Sequence, residues 1–427
     1  MFIRNATLAD GRSVDVRVEG ERIAAVGPGL SDDADDVGID AEGKLLLPGA
    51  IDVHVHFREP GFPHKETWET GSLSAAAGGV TAVIDQPNTD PPTVDGASFD
   101  EKAALAERSY VDYGINGGVT PDWKPDELFS RPLFALGEVF LADSTGEMGI
   151  DAELFEEAVE RAAGECVVTV HAEDATRFSE AVRERGEDDP DAWSAYRTAE
   201  AEAAAVERAC EVAERSDAAL HVAHTSTPEG IDAAKGAGAT CEVTPHHLFL
   251  SREDLDELGT FGRMNPPLRS ENRREGVFER VRDGTVDVVA TDHAPHTREE
   301  KDAGIWDAPS GVPGVETMVP LLLAAAERGE FTRERVRDLV ATNPARVFDL
   351  PRKGRIAEGM DADLALYDLD SPREIRGEEL HSKAGWTPFE GREGIFPEWT
   401  MVRGKRVYEN DEDSGAFGDP TGRNVRE

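Results

Sequence analysis

Four histidines and one aspartate of this 427-residue chain stand at the ends of short apolar runs. His54 and His56 are two apart in the first run, so the two-residue period of a strand turns both rings to one side. His171 ends the run at 167–171, His224 ends the run at 219–224 and Asp292 ends the run at 286–292. Imidazoles and a carboxylate arriving from four separate strands make a donor set suited to zinc, with cobalt or manganese as substitutes. A lone strand histidine is more often a core or surface residue than a ligand, so the coincidence of all five at one rim carries the reading. His221 shows the contrast: it lies three residues before His224, and alternation points it to the other face. His64, His246, His247 and His381 read as packing, supporting or surface residues.

Converging side chains need a frame. Eight β-rich runs can be counted, at 50–56, 80–85, 111–117, 134–140, 167–171, 219–224, 239–244 and 286–292. Between them lie Ala/Glu-rich segments with apolar residues at helical spacing, such as 198–215. Strand and helix alternating eight times predict an α/β fold, a closed (β/α)₈ barrel of the TIM type that carries its chemistry at the carboxyl ends of the strands. The chain ends read differently, as short strands separated by Gly and Asp turns. The expected organisation is therefore a small β-sandwich domain formed by residues 1–48 and 351–410, a metal-dependent barrel at 49–350, and an acidic, poorly ordered tail at 411–427.

With 39% hydrophobic residues, the chain has enough apolar material for a large core. Its 87 acidic against 45 basic side chains leave a formal net charge of -42, a field that repels phosphate backbones and anionic membranes. Nucleic-acid and membrane partners are thereby disfavoured. Acid spread along the whole chain suits a salt-rich cytosol, where screening shortens self-repulsion, and points to a halophilic source. Cys166, Cys210 and Cys241 lack CxxC spacing and read as reduced, buried thiols. No signal-like apolar core opens the chain and no run approaches a membrane span, so a cytoplasmic protein is expected.

Beyond these donors, the runs DVHVHFREPGFPHKE (52–66), QPNT (86–89), VHAED (170–174), HTST (224–227), MNPPLR (264–269), TDHAPH (291–296) and KGRIAEGMDADLALYD (353–368) resemble the motifs of the dihydroorotase family, class I type, of the amidohydrolases. The resemblance covers the chain to about residue 408. It implies a cyclic-amide hydrolase that reversibly closes N-carbamoyl-L-aspartate to L-dihydroorotate in de novo pyrimidine synthesis. Hydroxide generated at the metal would attack the amide, with Asp292 as general acid and base. It also implies that Arg58 and Asn88 hold the ring carboxylate, that Asn265 and His296 complete substrate recognition, and that the backbone at Gly311 faces the ring. The DSTG stretch at 143–146 resembles a loop that closes over substrate, with Thr145 as the contact.

One position departs from the pattern. Many relatives bridge two metals with a carboxylated lysine on the fourth strand, where this chain has Glu138. A glutamate supplies its carboxylate directly, so the expectation is two zinc ions bridged by Glu138, or one if its shorter reach holds only one well. Hydantoinases and allantoinases share the metal motifs, so a hydrolase of neutral cyclic ureides is the competing reading. A catalytically silent scaffold is the other, disfavoured because every ligand position holds a competent side chain. The resemblance implies a small-molecule substrate and leaves a homodimer open.

Overall fold

The computed structural model describes residues 1–31, 38–144, 148–410 and 415–427. The amino-terminal segment forms β1 (Phe2–Thr7), β2 (Ser13–Glu19), β3 (Arg22–Gly27), β4 (Gly38–Asp40) and β5 (Leu45–Pro48). Val14, Val16 and Val18 recur at every second position of β2 and all three are buried, as a strand with one apolar face requires.

The barrel strands follow: β6 (Ala50–Val55), β7 (Val80–Asp85), β8 (Asp112–Ile115), β9 (Leu136–Phe140), β10 (Val168–His171), β11 (Leu220–Val222), β12 (Thr240–Val243) and β13 (Val288–Val289). Each lies inside a run expected from the sequence. Their residues are almost uniformly buried, because helices cover the outer face of a parallel sheet while side chains fill its interior. The strands pair in parallel as β6-β7-β8 and β9-β10-β11-β12-β13. Parallel bridges Gly117↔Leu136 and Val55↔His293 join the two sheets at both seams and close the barrel. The helix expected at 198–215 spans Ala199–Ser216, with the Thr198 hydroxyl accepting from the Ala201 N–H as its cap, a contact that contributes about 1 kcal/mol.

After the barrel come β14 (Leu364–Tyr367), the short pair β15 (Arg373–Glu374) and β16 (Glu393–Gly394), then β17 (Pro397–Val402), β18 (Lys405–Glu409) and β19 (Ala416–Phe417). Strands from both ends of the chain share one sheet, ordered β19-β18-β17-β14-β5-β1-β2-β3 with β4 on β1. Ile3, Val16, Leu46, Leu364, Trp399 and Met401 pack together as the core of this β-sandwich domain. A buried ionic knot ties the domain to the barrel. Lys353 Nζ lies 2.7 Å from Asp112 at the start of β8 and 2.6 Å from Asp363, and Arg403 also pairs with Asp112.

The poorly ordered tail expected from residue 411 is not what residues 415–427 show; 411–414 lie outside the described residues. β19 pairs with β18, the Tyr113 N–H donates to the Arg423 carbonyl at 2.9 Å, and the Val425 N–H donates to the Tyr113 carbonyl at 2.8 Å. The Phe417 ring packs against Tyr110, His381 and Tyr408. Acidic composition concealed these few anchoring residues. Among the described residues, no helix is long and apolar enough to cross a membrane.

The net charge of -42 has a consequence for stability. Lowering salt from about 1 M to about 0.1 M lengthens the Debye length from about 3 Å to about 10 Å, so repulsion reaches between neighbouring carboxylates. The melting temperature should therefore fall steeply over that range when followed by circular dichroism. A melting temperature that does not move would remove the halophilic reading.

Candidate metal centre and substrate pocket

Chain geometry at the barrel mouth delivers the donors. His54 lies within β6 and His56 just beyond its end, Glu138 lies in the middle of β9, and His171 closes β10. His224 and Asp292 follow the ends of β11 and β13. Arg58, His224 and Asp292 have positive φ (66°, 32° and 48°), a backbone region that costs non-glycine residues about 1–3 kcal/mol each and collects at functional sites. Gly137 has φ 138°, and a Cβ there would lie 2.2 Å from the Thr169 carbonyl oxygen. Only glycine lets β9 approach β10 so closely just before Glu138.

All six expected donors come together. His54, His56 and Glu138 form one buried triad of mutually close donor atoms, and Glu138, His171 and His224 form a second, so Glu138 belongs to both. Glu138 Oε1 lies 2.6 Å from His224 Nε2 and 3.0 Å from His171 Nδ1, while Oε2 faces His54 Nε2 at 3.4 Å. Asp292 Oδ1 stands 3.0 Å from His56 Nε2 and 3.6 Å from His54 Nε2. Burial alone would push the Glu138 carboxyl up, but the charges of His54 and His224 and hydrogen bonds from His171 and His224 hold it well below the usual carboxylate range. It is an anion among four imidazoles.

The donor set fits divalent cations. His54 Nε2 is buried, aimed into the cluster, and without a hydrogen-bond partner among the described residues. His171 Nδ1 and His224 Nε2 face each other at 3.0 Å, an arrangement of ring nitrogens around one carboxylate that a shared cation resolves.

Several supporting residues escaped the sequence reading. Glu242, on β12, lies 2.6 Å from His54 Nδ1 and 3.1 Å from His221 Nε2, and accepts from the His224 N–H at 3.1 Å. A carboxylate on Nδ1 turns the Nε2 lone pair of His54 to the site. Glu173 does the same for His171, with Oε2 2.9 Å from Nε2, and is itself held by Arg197. Glu173 carried a signal, two residues past His171 in VHAED; Glu242 carried none beyond being a charge inside an apolar run. His221 stays outside both triads, reaching Thr240 and Glu242 instead.

Over the triads lies a small cavity of about 20 Å³, lined by donor residues of both triads and by Arg58, Asn88, Ser144, Asn265, Ser310 and Gly311 among others. The Asn88 side-chain oxygen accepts from His56 Nδ1 at 2.7 Å, which fixes that ring with Nε2 toward the site. Asn265 accepts from Trp193 Nε1 at 2.9 Å and donates to the Ser144 hydroxyl at 3.0 Å, so its amide joins the loop after β9 to the far wall. Thr145 lies outside the described residues; its neighbour Ser144 lines the cavity. Gly311 has φ 133°, and a Cβ there would meet the Ala294 carbonyl oxygen at 2.5 Å. Fully buried Lys301 braces this wall, donating to the carbonyls of Arg263, Pro309 and Gly311 at 2.9, 2.9 and 3.2 Å. His296 sits behind Arg58, its Nε2 3.1 Å from the Arg58 NH2 group.

A closed βα barrel with two histidine–carboxylate triads sharing one glutamate at its carboxyl rim defines a metal-binding hydrolase. The model of the Amidohydrolase family matches residues 45–407. A dihydroorotase of Halobacterium salinarum is 66% identical over 428 residues, covering 100% of this chain and 99% of that protein. One from Methanosarcina acetivorans is 45% identical over 417 residues, covering 94% and 89%. Among solved structures, the L-hydantoinase (dihydropyrimidinase) from Arthrobacter aurescens aligns with TM-score 0.92 at 29% identity, over 99% of this chain and 98% of that one. The chain belongs to the amidohydrolase family and, within it, to the dihydroorotases.

Proposed function

We propose that the chain interconverts N-carbamoyl-L-aspartate and L-dihydroorotate, the ring-forming step of de novo pyrimidine synthesis, at a centre of two zinc ions. Arg58 carries the substrate reading. Its guanidinium is buried (4% exposed), and no carboxylate lies within salt-bridge range among the described residues. Burial lowers its pKa to about 10, which still leaves it charged near neutrality. A buried cation with no carboxylate in direct contact is costly to keep, and a planar fork is the natural partner of a carboxylate. The substrate's ring carboxylate supplies what the protein withholds. Asn88, whose oxygen is engaged by His56, keeps its amide N–H groups for the same anion.

His54 and His56 would hold one ion and His171 and His224 the other, with Glu138 shared and Asp292 beside the first pair. When bound, such ions lower the pKa of a water from about 15.7 to about 7 and polarise a carbonyl. The Asp292 carboxylate takes the proton released as water adds to the ring amide and returns it to the nitrogen as the C–N bond opens. In the closing direction it takes the proton from the carbamoyl nitrogen. Arg58 and Asn88 hold the carboxylate throughout, and Ser310 and Gly311 form the opposite wall.

The likeness to a hydantoinase structure favours neutral cyclic ureides as a second reading. A neutral ring, however, would leave Arg58 buried without a carboxylate partner, its Nε–H donating only to the Pro295 carbonyl at 3.2 Å. Purified protein in high salt with added zinc should turn over dihydroorotate far faster than hydantoin or allantoin. Equal or faster turnover of either neutral ring would overturn the substrate reading.

A further inference from the structure

Lys65 is the last residue but one of the motif at 52–66 and reaches His296, in the loop after β13 across the seam from β6. Its side chain is 13% exposed, with Nζ 3.0 Å from Glu300 Oε1 and 3.1 Å from His296 Nδ1. Glu300 is itself held by accepting from the Thr297 N–H at 3.0 Å, so the ammonium is anchored, not free to swing. The His296 ring is fully buried, with Nε2 3.0 Å from the Ser310 carbonyl oxygen and 3.1 Å from Arg58 NH2.

Counting donors decides where the ring proton sits. An ammonium and a guanidinium only donate, and a carbonyl only accepts. Glu300 Oε2, 3.9 Å from Nδ1, is beyond hydrogen-bond reach. With the proton on Nε2, Lys65 donates to Nδ1 and Nε2–H donates to Ser310, so two of the three hydrogen-bond contacts are satisfied and only Arg58 meets another donor. With the proton on Nδ1, the contact to Arg58 is satisfied but those to Lys65 and Ser310 both fail. Burial, with the charges of Arg58, Lys65 and Lys301, holds His296 well below the usual imidazole range, so the ring carries one proton.

Building on the dihydroorotate reading, we propose that Lys65 is a positioning residue that fixes His296 as the Nε2–H tautomer, so that Arg58 NH2 is denied an acceptor inside the protein and is left for the substrate carboxylate. Remove Lys65, and one satisfied contact stands against one: Ser310 favours one tautomer, Arg58 the other. Arg58 then gains a partner of its own, and the substrate must compete with it. Lys65 thus acts on carboxylate affinity through His296, without touching the reacting atoms.

The test uses metal-loaded protein with ¹⁵N-labelled histidine, His296 being assigned by the signals lost in His296→Gln. The parent should show His296 as the Nε2–H tautomer. Lys65→Met should show a mixture and raise KM for dihydroorotate about tenfold, the effect of one charge-assisted hydrogen bond, with a smaller change in kcat and unchanged metal content. Lys65→Arg, which also only donates, should restore the tautomer and most of the affinity. An unchanged His296 signature in Lys65→Met, or an unchanged KM beside a shifted signature, would overturn the proposal. The substrate reading fails separately, if the parent protein does not turn over dihydroorotate while its His296 signature is as described.

Discussion

Glu138→Ala should be purified with less metal per chain than the parent and with turnover reduced at least about 100-fold. That is the upper end of what losing even a residue that merely supports a ligand costs. The expectation rests on Glu138 being the one carboxylate common to both triads. Two cations a few ångströms apart repel, and an anion between them is what makes their joint binding favourable. Alanine would leave His54, His56, His171 and His224 in place, so on the two-ion reading one weakly held ion should survive. A glutamate is a ligand as synthesised, unlike a carboxylated lysine, so reconstitution of the parent with zinc should give equal activity with and without bicarbonate. Metal analysis and turnover on the same samples check both statements. A variant that kept two metals and normal rates would place the bridge elsewhere.

Arg58→Met is expected to act on the other half of the site. Truncating one partner of a buried charge pair costs about 2–5 kcal/mol, roughly 30- to 5,000-fold in kcat/KM for dihydroorotate. Metal content should not change, since no described donor to either triad is altered. Stability should not fall and should rise in the absence of substrate, because the variant replaces a buried cation lacking a carboxylate partner with an apolar side chain of similar length. Loss of activity together with gain of melting temperature would show that Arg58 is kept for binding at the expense of the fold. Unchanged kinetics would remove the carboxylate assignment, and a lowered melting temperature would make Arg58 a structural residue.

What the sequence determined by itself was whatever repeats along the chain or sits at a fixed offset. Eight apolar runs separated by amphipathic segments specify a barrel, because strand and helix periods are local properties of the chain. Placing His54, His56, His171, His224 and Asp292 at one rim then needed only the rule that parallel barrels present their strand ends together. Glu138 was singled out through the family resemblance, as the residue standing on the fourth run where many relatives carry a carboxylated lysine. Tertiary structure alone decided the rest, because each remaining relation joins residues far apart in the chain. The pairing of Glu242 with His54 spans 188 positions, and nothing near either residue announces it. The tail after residue 414 was misread because its contacts with Ser109, Tyr113 and Glu21 lie in distant segments, while its own composition resembles that of a solvated end. Whether Arg58 is a solvated charge or a buried one without a carboxylate depends on which side chains the closed barrel brings around it, and no spacing within residues 52–66 encodes that. The same holds for the proton on His296, set by Lys65 from one strand end and by Ser310 from the loop beyond another. Local periodicity specifies elements and their ends, whereas burial, counter-charge and tautomer are properties of neighbours that meet only when the barrel closes.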